Sequence, residues 1–105
     1  MNTKTLGIFL AIVLACNCAN WAVLIAGSNT WYNYRHQADV FHSYQMLIKK
    51  GFDPSKIIVF AYDDIANNTK NPILGKVFNK PSYKEKGVDV YSGVKIDYKG
   101  ADVQP

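Results

Sequence analysis

The residues best suited to chemistry lie together in one short segment of the chain. Residues 31–36 read WYNYRH and place the chain's only arginine next to one of its two histidines. A guanidinium carries a planar fork of hydrogen-bond donors, and an imidazole can donate, accept or transfer a proton. A Gly-Ser-Asn break precedes the segment at residues 27–29. The elements that position this cluster therefore decide what it can do.

Each of these side chains also has a purely structural interpretation. Asn33 could cap the N-terminus of a helix, a role that asparagine favours. Arg35 could pair with Asp39, four residues later on a helix surface. His36 and His42 would ordinarily be solvated or packed helix positions, and we keep that prediction for His42.

Aromatic and acidic residues near the segment are predicted to support loops. Packing around the loop is expected of three aromatic residues, Trp31, Tyr32 and Tyr34. Asp63 and Asp64 could suggest a metal site, but no further carboxylate or histidine lies at ligand spacing. Loop capping and turn formation are favoured for this acidic pair, and no metal or other cofactor is expected.

The first twenty residues have the character of a targeting segment. Lys4 supplies a positive charge, and Leu6 to Ala15 form an uncharged run of ten residues, followed by small residues. Such a run is too short to span a bilayer but suits a signal peptide, so we predict a cleaved signal over residues 1–20. The alternatives are a buried helix or strand, an uncleaved anchor, or a lipoprotein signal that tethers Cys16 to a membrane.

Composition excludes several classes of protein. The chain has 105 residues, of which 49% are hydrophobic and 19% charged, which fits one globular domain and is too apolar for disorder. Without Lys4, residues 21–105 carry eleven basic and eight acidic side chains, and a net charge of +3 is too small for a nucleic-acid-binding surface. Both cysteines, Cys16 and Cys18, lie in the leader, so neither a disulfide framework nor a zinc cluster is expected. The triplet NNT at Asn67 is an N-glycosylation sequence and agrees with entry into the secretory pathway.

Hydrophobic patterning predicts a strand, a helix and a second strand. Trp21 to Ala26 and Ile57 to Tyr62 are short, continuous apolar runs, typical of strands buried on both faces. Between them, apolar residues recur in helical steps from about Tyr34 to Lys50, and Gly51 follows as the expected stop. A turn is predicted at residues 53–55, which read DPS.

This order predicts a parallel βαβ unit, and it places the polar cluster at a functional edge. Ligands of parallel sheets bind beyond the carboxyl ends of the strands, where residues 27–36 and 63–72 should lie. Residues 63–105 are less regular and suggest a long surface excursion or a small hairpin. Two strands and one helix bury too little apolar surface for a stable domain, so we expect them to be part of a larger α/β domain.

Several motifs taken together resemble one enzyme family. The run WAVLIAGSNTWYNYRHQAD at 21–39, YDDIA at 62–66, NP at 71–72, DVYSGV at 89–94 and DYKGADV at 97–103 closely resemble the N-terminal part of legumains, the asparaginyl endopeptidases. The catalytic subunit of the GPI-anchor transamidase shares NYRH and an Asp-Asp pair, but the flanking residues are similar to legumains. The resemblance covers nearly all of residues 21–105.

The resemblance implies a fold, an activity and roles for three residues. Legumains are cysteine proteases with a caspase-like α/β fold that cleave after Asn, and more weakly after Asp, in lysosomes or vacuoles. Asn33 matches the asparagine that orients the catalytic histidine. Arg35 and His36 match residues that line the pocket for the substrate's Asn side chain. The implied partners are protein or peptide substrates with Asn at the cleaved bond; no nucleic acid and no stable membrane association after signal cleavage are expected.

One departure from the family bears on the mechanism. In legumains the catalytic histidine comes from a His-Gly after the third strand, and the cysteine follows the next strand. No histidine and no cysteine follow Tyr62 in this sequence. We therefore predict that the 105-residue chain alone is inactive, because a thiolate and its base are both required.

Two interpretations remain open at this point. The chain is either an N-terminal portion of a legumain-like peptidase domain over residues 21–105, incomplete as given, or a short secreted remnant that binds Asn-containing peptides without cleaving them. A dinucleotide-binding unit is disfavoured, because Gly27 alone cannot stand for a G-x-G-x-x-G turn.

Overall fold

The computed structural model describes residues 20–79 and 87–103. The predicted signal peptide, apart from Asn20, lies outside these residues. Within the described residues, none of the helices combines the length and the apolar character that crossing a membrane requires.

Two parallel strands and one helix form the centre of the described chain. Strand β1 spans Ala22–Ala26, helix α1 spans Tyr34–Lys49 and strand β2 spans Ile57–Ala61. The two strands pair in parallel, with Ala22 opposite Ile57 and Ala26 opposite Ala61. The predicted α/β class and βαβ order are confirmed, and the unit is consistent with part of a caspase-like parallel-sheet fold.

Helix α1 turns one face toward the sheet and ends as the sequence predicts. Its buried side chains are Gln37, Ala38, Val40, Phe41 and Tyr44. Gly51 has a φ of 93°, a backbone conformation that residues with a Cβ rarely adopt. The N–H of Gly51 donates to the Ile48 carbonyl and that of Phe52 to the Leu47 carbonyl, both at 3.0 Å. This pair of bonds is a Schellman motif, which satisfies carbonyls that the helix end would otherwise leave unpaired.

A short 3-10 helix, Pro54–Lys56, leads the chain into β2. The Asp53 carboxylate accepts hydrogen bonds from the backbone N–H and the hydroxyl of Ser55, at 2.9 and 2.8 Å. These bonds lower the pKa of Asp53. The turn predicted at residues 53–55 is therefore present, with the aspartate as its cap.

One face of β1 is open, contrary to the prediction of a strand buried on both faces. Val23 and Ile25 are 55% and 61% exposed, whereas Ala26, on the opposite face, is 2% exposed. Helix α1 packs against only one side of the sheet, and no described element covers Val23 and Ile25. The prediction fits β2 better, because Phe60, on its outer face, is half-buried and stacks on Tyr98 at a ring-centroid distance of 4.5 Å.

The chain after β2 returns to the central unit, and its described residues form isolated bridges where the sequence suggested a surface excursion or a small hairpin. Within the described residues it makes an antiparallel bridge between Phe78 and Asp89 and a parallel bridge between Tyr98 and Phe60. Its described residues contribute four apolar side chains to the core, Ile65, Ala66, Val77 and Val90. This segment is therefore a part of the core, and only partly the surface excursion that the sequence suggested.

Candidate functional site

The loops that follow β1 and β2 meet at one edge of the sheet, as predicted. Parallel strands end at the same edge, so residues 27–33 and 62–72 are brought together although about 35 residues separate them. A direct contact joins them: the Asp64 carboxylate accepts the backbone N–H of Thr30 at 2.6 Å. The candidate site lies on these loops and on the first turn of α1.

Asn33 occupies the residue before α1, but its side chain does not cap the helix. Its Nδ2 instead donates to the carbonyl oxygen of Asn29 at 2.9 Å. The helix-capping interpretation of this side chain is therefore wrong. Because the amide nitrogen is engaged by the loop, the amide oxygen is the atom of Asn33 left to accept a hydrogen bond from another group.

Arg35 lies exposed in the first turn of α1. Its Nη1 lies 3.4 Å from the Tyr32 carbonyl oxygen, a long hydrogen bond. The alternative pairing with Asp39 is wrong, because within the described residues Asp39 accepts from Asn79 at 2.6 Å and forms no ion pair with Arg35. Among the described residues, this single long bond engages one of the five N–H donors of the guanidinium.

His36, also exposed, follows Arg35 on the same turn. Its Nδ1 is joined to the Ser28 hydroxyl by a hydrogen bond of 2.6 Å. The contact fixes the imidazole against the loop after β1 and leaves Nε2 pointing away from Ser28. His42, for which only a solvated or packed role was predicted, is exposed on the same helix.

The aromatic residues of the segment divide into two groups. Trp31 packs edge-on against Tyr34 at a centroid distance of 5.1 Å. The Tyr34 hydroxyl accepts the backbone N–H of Phe78 at 2.6 Å, which fastens the segment to the chain beyond β2. These two confirm the predicted packing role. Tyr32 does not, because its side chain is 88% exposed and extends from the short 3-10 helix Trp31–Asn33.

Asp63 and Asp64 support loops, as predicted. Asp63 has a φ of 63° and its carboxylate accepts the Tyr91 hydroxyl at 2.8 Å and lies 3.4 Å from the Lys99 ammonium. Burial, followed by this bond and the charge of Asp63, raises the pKa of Tyr91 to about 12. Within residues 20–79 and 87–103, no group of three His, Cys, Asp or Glu side chains could hold a metal ion.

Gln37 is a residue of this site that sequence reasoning missed. It is fully buried, and both ends of its amide are bonded to the loop after β2: Nε2 donates to Asp64 at 2.7 Å and Oε1 accepts the Asp63 N–H at 3.1 Å. The signal was present in the spacing, because Gln37 lies four residues before Phe41 and hence on the apolar face of α1. A polar residue on a buried face has to be hydrogen-bonded.

Comparison with known proteins assigns the chain to a family. The model of the Peptidase C13 family matches residues 20–105. The chain belongs to the Peptidase C13 family. This membership confirms the resemblance that the motifs indicated, and it disfavours the dinucleotide-binding alternative.

Relatives in this family are similar to the chain over most of its length. It is 55% identical to "Legumain" of Rattus norvegicus over 86 residues, which are 82% of the chain and 19% of the relative. It is 59% identical to "Hemoglobinase" of Schistosoma japonicum over 85 residues, 81% of the chain and 19% of the relative. It is 57% identical to "Vacuolar-processing enzyme" of Vicia sativa over 83 residues, 79% of the chain and 16% of the relative. The chain therefore spans less than a fifth of the length of these C13 relatives.

Proposed function

We propose that the chain forms part of a cysteine endopeptidase of legumain type, which processes or degrades proteins by cleaving after asparagine. Membership of a peptidase family and similarity to legumains support this proposal. The catalytic histidine and cysteine would be supplied by residues that this chain does not contain. On this proposal the 105-residue chain alone is inactive.

The observation that carries the proposal is the arrangement of Asn33, Arg35 and His36 at the carboxyl edge of the parallel sheet. Ligands of such sheets bind at this edge. Asn33 is anchored through its amide nitrogen to Asn29, so that its oxygen can accept a ring N–H of an incoming histidine. That bond would fix the tautomer and orientation of the imidazole, the role of the third member of a cysteine–histidine site.

Arg35 and His36 are proposed to bind the asparagine side chain of the substrate. Both are exposed, and they lie on consecutive positions of the first turn of α1. The guanidinium can donate to a carboxamide oxygen, while an imidazole nitrogen can take the complementary role toward the carboxamide NH₂. A substrate carboxamide offers both an acceptor and donors, so this pair of side chains can distinguish it from an apolar side chain.

The proposed location is the secretory pathway, ending in a lysosome, a vacuole or the extracellular space. A signal peptide over residues 1–20 would direct the chain there, and Asn67 lies exposed in the loop after β2, accessible to glycosylation. The name "Vacuolar-processing enzyme" of the Vicia sativa relative agrees with this location. The proposed substrates are proteins or peptides with Asn at the cleaved bond, and no cofactor is required.

A chimera tests the proposal. The 86 residues of rat legumain that align with this chain are replaced by the corresponding residues of this chain. The remainder of rat legumain then supplies the catalytic histidine and cysteine that this chain is proposed to lack. kcat/KM is measured on matched peptides with Asn, Asp or Gln before the cleaved bond. We expect cleavage after Asn, weaker cleavage after Asp and none after Gln.

Two matched substitutions test the residue roles in the same chimera. Arg35→Lys keeps the charge but removes the planar fork, and a loss of about 2 kcal/mol for a charged hydrogen bond corresponds to about 30-fold in kcat/KM. His36→Gln should also lower kcat/KM, whereas His42→Gln, an exposed position on the same helix, should not. Equal effects of the two histidine substitutions, or full activity of R35K, would refute the proposed pocket.

A further inference from the structure

We propose that Gln37 and Asp64 are positioning residues, which hold the segment Asn33–His36 in the geometry required for substrate recognition and for orienting the catalytic histidine. The proposal rests on the function proposed above. Neither residue is placed in contact with the substrate. Both act through hydrogen bonds that join the loop after β1, the start of α1 and the loop after β2.

The bonds form a continuous path from Asp64 to Asn33. The Asp64 carboxylate accepts the Thr30 N–H at 2.6 Å through one oxygen and Gln37 Nε2 at 2.7 Å through the other. Thr30 in turn accepts the Asn33 N–H at 3.0 Å through its carbonyl. Gln37 directly follows His36 in α1. Asp64 is thus linked to Asn33 by two hydrogen bonds, through Thr30. It is linked to the helical turn of Arg35 and His36 by one hydrogen bond, to Gln37.

The backbone at Thr30 explains why the loop needs such a contact. Thr30 has φ 73° and ψ 154°, a region of backbone conformation that is essentially restricted to glycine. A β-branched residue is strained in that conformation and persists only when the surrounding structure holds it. The Asp64 carboxylate provides this hold through a charge-assisted bond to the Thr30 N–H, the stronger kind of hydrogen bond.

The chemical types of the two side chains are dictated by their partners. Asp64 faces two donors, the Thr30 N–H and the Gln37 NH₂, so both of its oxygens must accept. Gln37 faces one donor, the Asp63 N–H, and one acceptor, Asp64, so it must present one acceptor and one donor. A carboxylate opposite an amide satisfies every partner, and Gln37 is fully buried, so an unmatched group there would find no water.

A reciprocal exchange of the two groups tests the inference. In Asp64→Asn, the new side-chain NH₂ faces a donor, either the Thr30 N–H or the Gln37 NH₂. In Gln37→Glu, a carboxylate oxygen takes the place of the NH₂ and faces the Asp64 carboxylate, another acceptor. In the double variant Q37E/D64N the amide and the carboxylate change places. The new amide can then donate to residue 37 and accept from Thr30, while the new carboxylate accepts the Asp63 N–H, so that all partners are matched again.

The variants are made in the chimera with rat legumain, which supplies the remainder of the domain. Gln45→Glu is the matched control: it is the same substitution two turns further along α1, where Gln45 Nε2 donates to the carbonyls of Val90 and Ser92 at 3.0 and 3.1 Å. kcat and KM on the Asn peptide, thermal unfolding, and amide hydrogen exchange of residues 28–36 are measured for each variant.

We expect D64N and Q37E each to lower kcat/KM by about 10-fold or more, with kcat falling as well as KM rising, and to accelerate exchange at Thr30. The double variant should recover at least threefold over the poorer single variant, although its charge is then buried at residue 37. Q45E should lower thermal stability with kcat/KM unchanged. Independent, multiplicative losses in the double variant would overturn the inference, as would a kinetic loss in Q45E equal to that of Q37E.

The two proposals fail in distinguishable ways. If the unmutated chimera does not cleave after Asn, the proposed function fails, and the positioning role is then decided by hydrogen exchange alone. Faster exchange of residues 28–36 in D64N, restored in the double variant, supports the positioning role even then. Unchanged exchange in D64N would refute it whatever the activity.

Discussion

Replacing Asn71 by alanine is expected to destabilise the loop that follows β2. Asn71 is buried, and its Nδ2 lies 2.9 Å from the carbonyl oxygens of Ala66 and Lys76 and 3.2 Å from that of Ile65. Its Oδ1 accepts the Ile73 N–H at 3.0 Å. One amide therefore fastens the loop to itself at four points, and alanine provides none of these contacts.

The magnitude follows from how many of these bonds can be complete. An amide NH₂ has two hydrogens, so the three donated contacts amount to about two full bonds, and the accepted bond makes about three. At about 1 kcal/mol each, the loss is about 3 kcal/mol. The carbonyls of Ile65 and Ala66 also accept the N–H groups of Asn68 and Gly75, so they keep a partner in the variant. The expected loss is therefore about 2–3 kcal/mol, which lowers Tm by roughly 4–12 °C in a domain of 150–250 residues.

Thermal unfolding of the chimera with rat legumain measures this effect. Asn79→Ala is the control, because among the described residues its side chain makes one hydrogen bond, an exposed one to Asp39 at 2.6 Å. Substitution of such a surface group changes stability by only about 0.5 kcal/mol. If N71A lowers Tm by no more than N79A does, the Asn71 amide does not stabilise the loop, and the free energy assigned to its hydrogen bonds is too large.

Further predictions concern pH, glycosylation and activity. Burial by itself would raise the pKa of Asp89, but bonds from the Ser92 hydroxyl and from the N–H groups of Val77 and Tyr91 outweigh it, so the pKa is lowered from 3.8. The stabilisation by Asp89 is therefore present above the unfolded-state pKa and is lost as the pH falls through the lower folded value. Asp89→Asn should lower Tm at neutral pH, with a difference from the unmutated protein that shrinks in acid; a difference independent of pH would contradict this account. Secretion from eukaryotic cells should add a glycan at Asn67 that a glycosidase removes, and an unchanged gel mobility would exclude the modification. The 105-residue chain alone should not cleave an Asn-containing fluorogenic peptide, and measurable turnover that survives inhibitors of contaminating proteases would show that the chemistry needs no further residues.

The secondary structure of the central unit could be predicted because its determinants are local. Continuous apolar runs predicted β1 and β2, and a helical period predicted α1 to within one residue of its observed end at Lys49. Gly51 marked that end because its φ of 93° suits glycine. The extent of burial was harder to predict, since it depends on what packs on each face: the face of β1 that carries Val23 and Ile25 is open, although the run reads as fully buried.

The location of the candidate site could also be predicted, because the carboxyl ends of parallel strands meet at one edge. The individual contacts could not. Asn33 has the residue type and position of a helix cap, yet its side-chain amide donates to the Asn29 carbonyl. Tyr32 directly follows Trp31 in the sequence, yet Tyr32 is exposed whereas Trp31 packs against Tyr34. The hydrogen-bond partner of Asn33 and the exposure of Tyr32 both depend on how the surrounding loops pack, which no local sequence pattern encodes.

The sequence by itself determined the order of the elements, the edge at which the loops meet and the peptidase family, because periodicity, breakers and a specific set of motifs are written along the chain. Only the tertiary structure decided how that edge is held. Gln37 and Asp64 are 27 positions apart, and their bond exists because parallel pairing of β1 and β2 brings the two loops together. Partners so distant in sequence are selected by the complementarity of donors and acceptors in a buried space, and that space forms only when the chain folds.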